Sequence, residues 1–112
     1  MNANDLLRNY NCSEHFYKAG FGFIYSEGVN ALCTEFECYW FLDILISYQC
    51  KLRNEDFQVW KLIRNEDQTA NVICTNGNGK QLITQRIPYT DFTPTEGTIW
   101  IENNVILLPS EH

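Results

Sequence analysis

Positive charge is scarce in this chain. Eight Lys and Arg residues stand against 14 Asp and Glu, for a formal net charge of -6. A surface of that sign repels the nucleic-acid backbone and an anionic membrane, so neither is expected as a partner. Histidine is rarer still, with only His15 and His112. The five cysteines include no Cys-x-x-Cys pair, since Cys33 and Cys38 are five apart, and no metal site or cofactor is expected. No apolar run is long enough to cross a bilayer, and Met1–Asp5 carries no basic stretch leading into an apolar one. An odd cysteine count without a secretory signal implies reduced thiols and a cytoplasmic setting. A Gly-x-Ser-x-Gly elbow and a His-Glu-x-x-His helix are both missing, as are linkers and low-complexity tracts.

What remains is a globular composition, 45% hydrophobic and 14% aromatic over 112 residues. That length suits one domain, residues 1–112, burying roughly 65% of its unfolded surface. The chain is organised around Tyr39–Cys50, where Trp40, Ile44 and Tyr48, with Phe41 and Leu45, make a wide apolar stripe at helical spacing. A second helix opens at Ser26 or Glu27 and runs to Phe36, with Val29, Leu32, Cys33 and Phe36 on one face. Glu37-Cys38 separates the two. Asn4 is the expected N-cap of a short helix over Asp5–Tyr10, and Ser13–Tyr17 the expected polar turn after it.

Phe21–Tyr25 reads as a short strand with glycines where other groups approach closely. The run Gly-Phe-Gly-Phe-Ile is like the stacking strand of an RNA-recognition module, but its flanks, its position in the chain and the charge all disagree. From Phe57 the pattern turns to strands: Phe57–Ile63, with apolar residues on both faces and so central, then Ala70–Thr75, Lys80–Ile87, Thr98–Glu102 and Val105–Leu108. Asn76-Gly77-Asn78-Gly79 and Asn103-Asn104 are hairpin turns. Lys80 after the glycines does not make a phosphate loop, because a strand follows where a helix is needed. The expected fold is α+β and two-layered, with N-terminal helices packed on a C-terminal antiparallel meander of four or five strands.

The succession Ser13–Tyr17, Tyr39–Asp43, Phe57–Leu62, Thr90–Phe92 and Ile106–Glu111 resembles a small bacterial family of uncharacterised domains with chromosomal, plasmid and phage members. The resemblance implies a compact domain in a bacterial or mobile-element setting. It implies no catalytic residues and no activity.

Cys33, Cys50 and Cys74 have apolar neighbours and are expected in the core. Asp43 has Tyr39 at i-4 and Ser47 at i+4, which gives the helix a semi-polar edge; it is expected at the solvent boundary, with a pocket as the sharper alternative. Sixteen rings exceed what a core this small requires, so some of Phe16, Tyr17, Tyr25 and Trp100 are expected to be exposed as interface rings. The leading reading is a non-enzymatic binding protein. Its concrete form is an acidic inhibitor or accessory protein of a mobile element acting on a larger protein complex. Candidate partner-binding residues are Glu14, His15, Tyr17, Asp43 and Trp100. The alternatives are a binder of a small nucleotide-like ligand, in one chain or across a homodimer, and a small enzyme using His15, Asp43 or a cysteine.

Overall fold

The computed structural model describes residues 2–7, 15–92 and 94–112. In chain order the elements are α1 (Ala3–Leu6), β1 (Phe16–Gly20), β2 (Phe23–Ser26), α2 (Glu27–Glu35), α3 (Tyr39–Ser47), β3 (Phe57–Arg64), β4 (Ala70–Thr75), β5 (Gln81–Ile87), β6 (Glu96–Glu102), β7 (Val105–Leu107) and a closing 3-10 turn, Pro109–Glu111.

The class is α+β, but the sheet is larger than expected and is not a plain meander. Among the described residues seven strands lie in the order β1-β2-β7-β6-β3-β4-β5. The β2–β7 pair is parallel, with Tyr25 beside Ile106, and the other pairs are antiparallel. The extra strands come from the N-terminal half. Gly20, Phe21 and Gly22 all have positive φ (91°, 53° and 83°), which reverses the chain between β1 and β2. A Cβ at Gly20 or Gly22 would meet nothing within 4 Å. These are turn glycines, not the close-approach glycines of a single strand, and Phe21 stands at the tip instead of in the strand. The meander breaks after β5, where the chain passes β4 and β3 to place β6 beside β3. Phe92, in that connection, is buried, its Cζ 3.2 Å from where a Cβ on Gly97 would lie.

Alternation along the strands separates the sheet faces. Trp60, Leu62, Val72, Cys74, Ile99, Ile101 and Ile106 point inward, and they share one buried cluster with Val29, Leu32 and Cys33 of α2 and Phe41, Leu42 and Leu45 of α3. Two helices occupy residues 27–47, as expected. Glu37, at φ 52°, takes the left-handed position that ends α2, and Cys38 N–H donates to Cys33 O at 3.0 Å. Ser26 caps α2, its Oγ accepting from Val29 N–H at 3.2 Å. The organising helix is shorter than its sequence pattern, stopping at Ser47; Tyr48–Lys51 continue in turns, so Cys50 is exposed and not a core residue.

The first helix also starts earlier than expected. Asn2 is its N-cap, accepting from Asn4 N–H at 2.8 Å. Asn4 acts instead as a clamp: its Nδ2 donates to Thr98 O (2.9 Å) and its Oδ1 accepts from Thr98 N–H (2.6 Å), so its amide mimics a strand neighbour of β6. Residues 8–10 of the expected Asp5–Tyr10 helix, and Ser13 and Glu14 of the expected Ser13–Tyr17 turn, lie outside the described residues; Phe16 and Tyr17 are not in a turn but open β1, where they pair with β2. Among the described residues no helix is long and apolar enough to cross a membrane.

Candidate partner-binding groove

The apolar face of α2 packs inward, so its opposite face is free to line a surface. Glu27, Asn30, Ala31, Thr34 and Glu35 follow i, i+3, i+4, i+7 and i+8 and form one stripe. Together with Leu6 at the end of α1, Leu7 after it and Tyr17 of β1, that stripe lines a groove of about 760 Å³. Among the described residues its lining carries two carboxylates and no cation. Leu6 (53% exposed) and Tyr17 (42%) present uncovered apolar surface to it. Tyr39 braces one wall: its Oη donates to Asn30 Oδ1 at 2.5 Å and lies 2.9 Å from Thr34 Oγ1.

Tyr17 stacks on Tyr25 across the β1–β2 ladder, with centroids 5.3 Å apart and planes at 24°. Burial, then the neighbouring Tyr39, Cys33 and Tyr17, push the Tyr25 phenol above its ordinary value. The Tyr25 ring therefore stays a neutral phenol at neutral pH. Tyrosine faces beside carboxylates make a receptor for a guanidinium or ammonium group, which gains both Coulomb and cation–π attraction there.

Of the sequence-selected residues that the structure describes, Tyr17 lines this groove and His15, Asp43 and Trp100 do not. His15 is exposed immediately before β1, and Glu14 lies outside the described residues. Asp43 is exposed on α3. Its field reaches Cys33, whose thiol is pushed well up, first by the hydrogen bond with Cys38, then by burial. Trp100 is on the other sheet face, half-buried and edge-on to Phe57 (5.3 Å) and His112 (5.2 Å), with His112 Nε2 2.5 Å from Glu102 Oε2. Among the described residues no hydrogen bond or ion pair joins His15 to Asp43 or to a cysteine, and no cluster of three metal-ligating side chains occurs. Of the four rings from which some exposure is expected, Phe16 and Tyr17 are exposed, whereas Tyr25 and Trp100 are half-buried.

From sequence Glu35 reads as solvated surface, and Glu27 and Asn30 are marked only by their polar spacing opposite the apolar side of α2. The complementary polar spacing was there to be read. Helical spacing over Asp5–Tyr10 would turn Leu6 inward with Leu7, but Leu6 is exposed while Leu7 is buried, because its exposure depends on how α1 docks on β6.

No curated protein and no solved structure matches this chain. A family model does match it, over residues 1–112, and the chain belongs to that family, the family of unknown function DUF6876.

Proposed function

We propose that this is a non-enzymatic binding protein whose α1–β1–α2 groove receives a cationic segment of a partner protein. The observation that supports this best is the composition of the groove: the carboxylates of Glu27 and Glu35, the exposed ring of Tyr17 and, among the described residues, no basic side chain in the lining. A lysine or arginine of the partner would sit over the tyrosine pair between the two acids, with its aliphatic stem and apolar neighbours against Leu6 and Ala31. The net charge of -6 steers such a partner at long range. In its concrete form the reading is of an acidic inhibitor or accessory protein of a mobile element, acting on a basic patch of a larger complex.

The test is a tagged pull-down from the native host with mass spectrometry, run on the wild type, on Tyr17→Ala, on a Glu27→Gln/Glu35→Gln double variant and on Asp43→Ala. A specific partner should be captured by the wild type and by Asp43→Ala. It should be lost from both groove variants, and its capture should weaken as salt is raised. Equal capture by all four proteins, or capture indifferent to salt, would sink the proposal.

A further inference from the structure

A second concavity opens at the other end of α3, where the Gly20–Gly22 turn, the chain after α3 and the Asn103-Asn104 turn meet. It encloses about 390 Å³. Its floor is polar and deeply buried: Gln49 is 7% exposed and Gln58 2%. The two amides form a reciprocal pair, Gln49 Nε2 donating to Gln58 Oε1 (3.0 Å) and Gln58 Nε2 to Gln49 Oε1 (2.9 Å). Their orientation is dictated from outside. The indole N–H of Trp60 can only donate, and it donates to Gln58 Oε1 at 2.9 Å; the carbonyl of Leu45 can only accept, and it accepts from Gln49 Nε2 at 2.8 Å.

That arrangement satisfies one side of the pair completely and leaves the other incomplete. Among the described residues, the second N–H of Gln58 and the second lone pair of Gln49 have no protein partner, and both side chains line the cleft. Each of these amide atoms keeps one hydrogen-bond partner, and the spare N–H and lone pair are the capacity that a hydrogen-bonding guest in the cleft would use.

The mouth supplies the complementary feature. Phe21 is 84% exposed and held at φ 53°, a backbone region that an aromatic residue rarely adopts. A strained residue whose ring is left in solvent gains nothing for the fold, and that combination points to a role in binding. Phe21 and Phe23 line the same cleft as the glutamines, so a planar guest meets rings at the mouth and amides on the floor. Arg53 on the wall is outweighed by Glu55 and Asp56, which disfavours a phosphate.

We infer that this cleft binds an uncharged nucleoside-class ligand, its base stacked against Phe21 and hydrogen-bonded to the Gln49–Gln58 pair. This site is separate from the groove proposed for a protein partner, and neither reading requires the other.

The hydrogen bond from Trp60 to Gln58 provides a local reporter. In a 15N–1H spectrum of the full chain the three indole N–H signals are assigned with Trp40→Phe and Trp100→Phe variants. Adenosine, guanosine, cytidine and uridine are then titrated, with ribose as control. At least one nucleoside should move the Trp60 signal saturably while the Trp100 signal and the ribose titration stay flat. Phe21→Gly removes the ring and relieves the positive φ, so the variant folds, and it should weaken binding about tenfold. The inference is overturned if no nucleoside moves the Trp60 signal at about 5 mM. It is equally overturned if the shift survives undiminished in Phe21→Gly.

Discussion

At the scale of single residues, Asp43 shows how a suggestive sequence environment dissolves in three dimensions. Its helical neighbours at i-4 and i+4 are both engaged elsewhere: the hydroxyl of Tyr39 reaches back to Asn30 on α2, and that of Ser47 donates to Ile44 O at 2.7 Å. Asp43 itself is exposed, and among the described residues no hydrogen bond holds it. Asp43→Ala should therefore change the stability read from urea denaturation by no more than about 0.5 kcal/mol. A loss of several kcal/mol would contradict this placement, because only a buried, partnered carboxylate is worth that much. Gln49 and Gln58 are the reverse case. Nothing in the sequence marks two glutamines nine apart as partners, one just past a helix and one in a strand. Only the packing of α3 on β3 brings their amides together.

At the scale of elements, the start of α2 is held by the far end of the described chain. Glu111 Oε1 accepts from Ser26 Oγ (2.5 Å) and from Leu108 N–H (2.9 Å), and its Oε2 accepts from Gly28 N–H (3.2 Å). A carboxylate placed on the first turn of a helix interacts favourably with the helix dipole as well as with the free N–H groups. Gly28 is required for this approach, since a Cβ there would lie 2.5 Å from Glu111 Oε1 and 2.8 Å from Leu108 Cδ1. Gly28→Ala should cost about 1–3 kcal/mol by overpacking, despite the better helix propensity of alanine. Chemical denaturation measures it, and a variant as stable as the wild type would show that the 3-10 turn moves aside freely. Elements whose signals are local were legible in the sequence: α2 with its serine cap, the separation of α2 from α3, β3 as an interior strand, and the Asn-Asn hairpin with both residues at positive φ (52° and 68°). The β1–β2 hairpin was missed because its two glycines can serve either a turn or a close approach, and only their φ angles and empty surroundings distinguish the two. The β2–β7 pairing joins Tyr25 to Ile106, a separation that no local pattern reports.

At the scale of the whole molecule, the core carries ionisable groups that are stable only while protonated. Burial, then the charge of Glu55, pushes the Cys74 thiol up to about 12. The Cys33 thiol is raised by its hydrogen bond with Cys38 and by burial, and the Tyr25 phenol by burial and its neighbours. In the unfolded chain these groups return towards 9.0 for the thiols and 10.0 for the phenol. Their folded values are raised, so their contribution to stability is complete below the unfolded values. As pH rises past these, the unfolded chain releases protons that the folded chain retains, and stability falls. The midpoint of thermal unfolding should thus decline progressively from about pH 9 upwards. Cys74→Ala will be less stable at neutral pH because of the cavity it leaves, so the slope is the informative quantity. The decline should be shallower in Cys74→Ala than in the wild type. A midpoint that stays flat from pH 8 to about 11, or a slope unchanged by Cys74→Ala, would mean that the buried thiol ionises as easily in the folded chain as in the unfolded one.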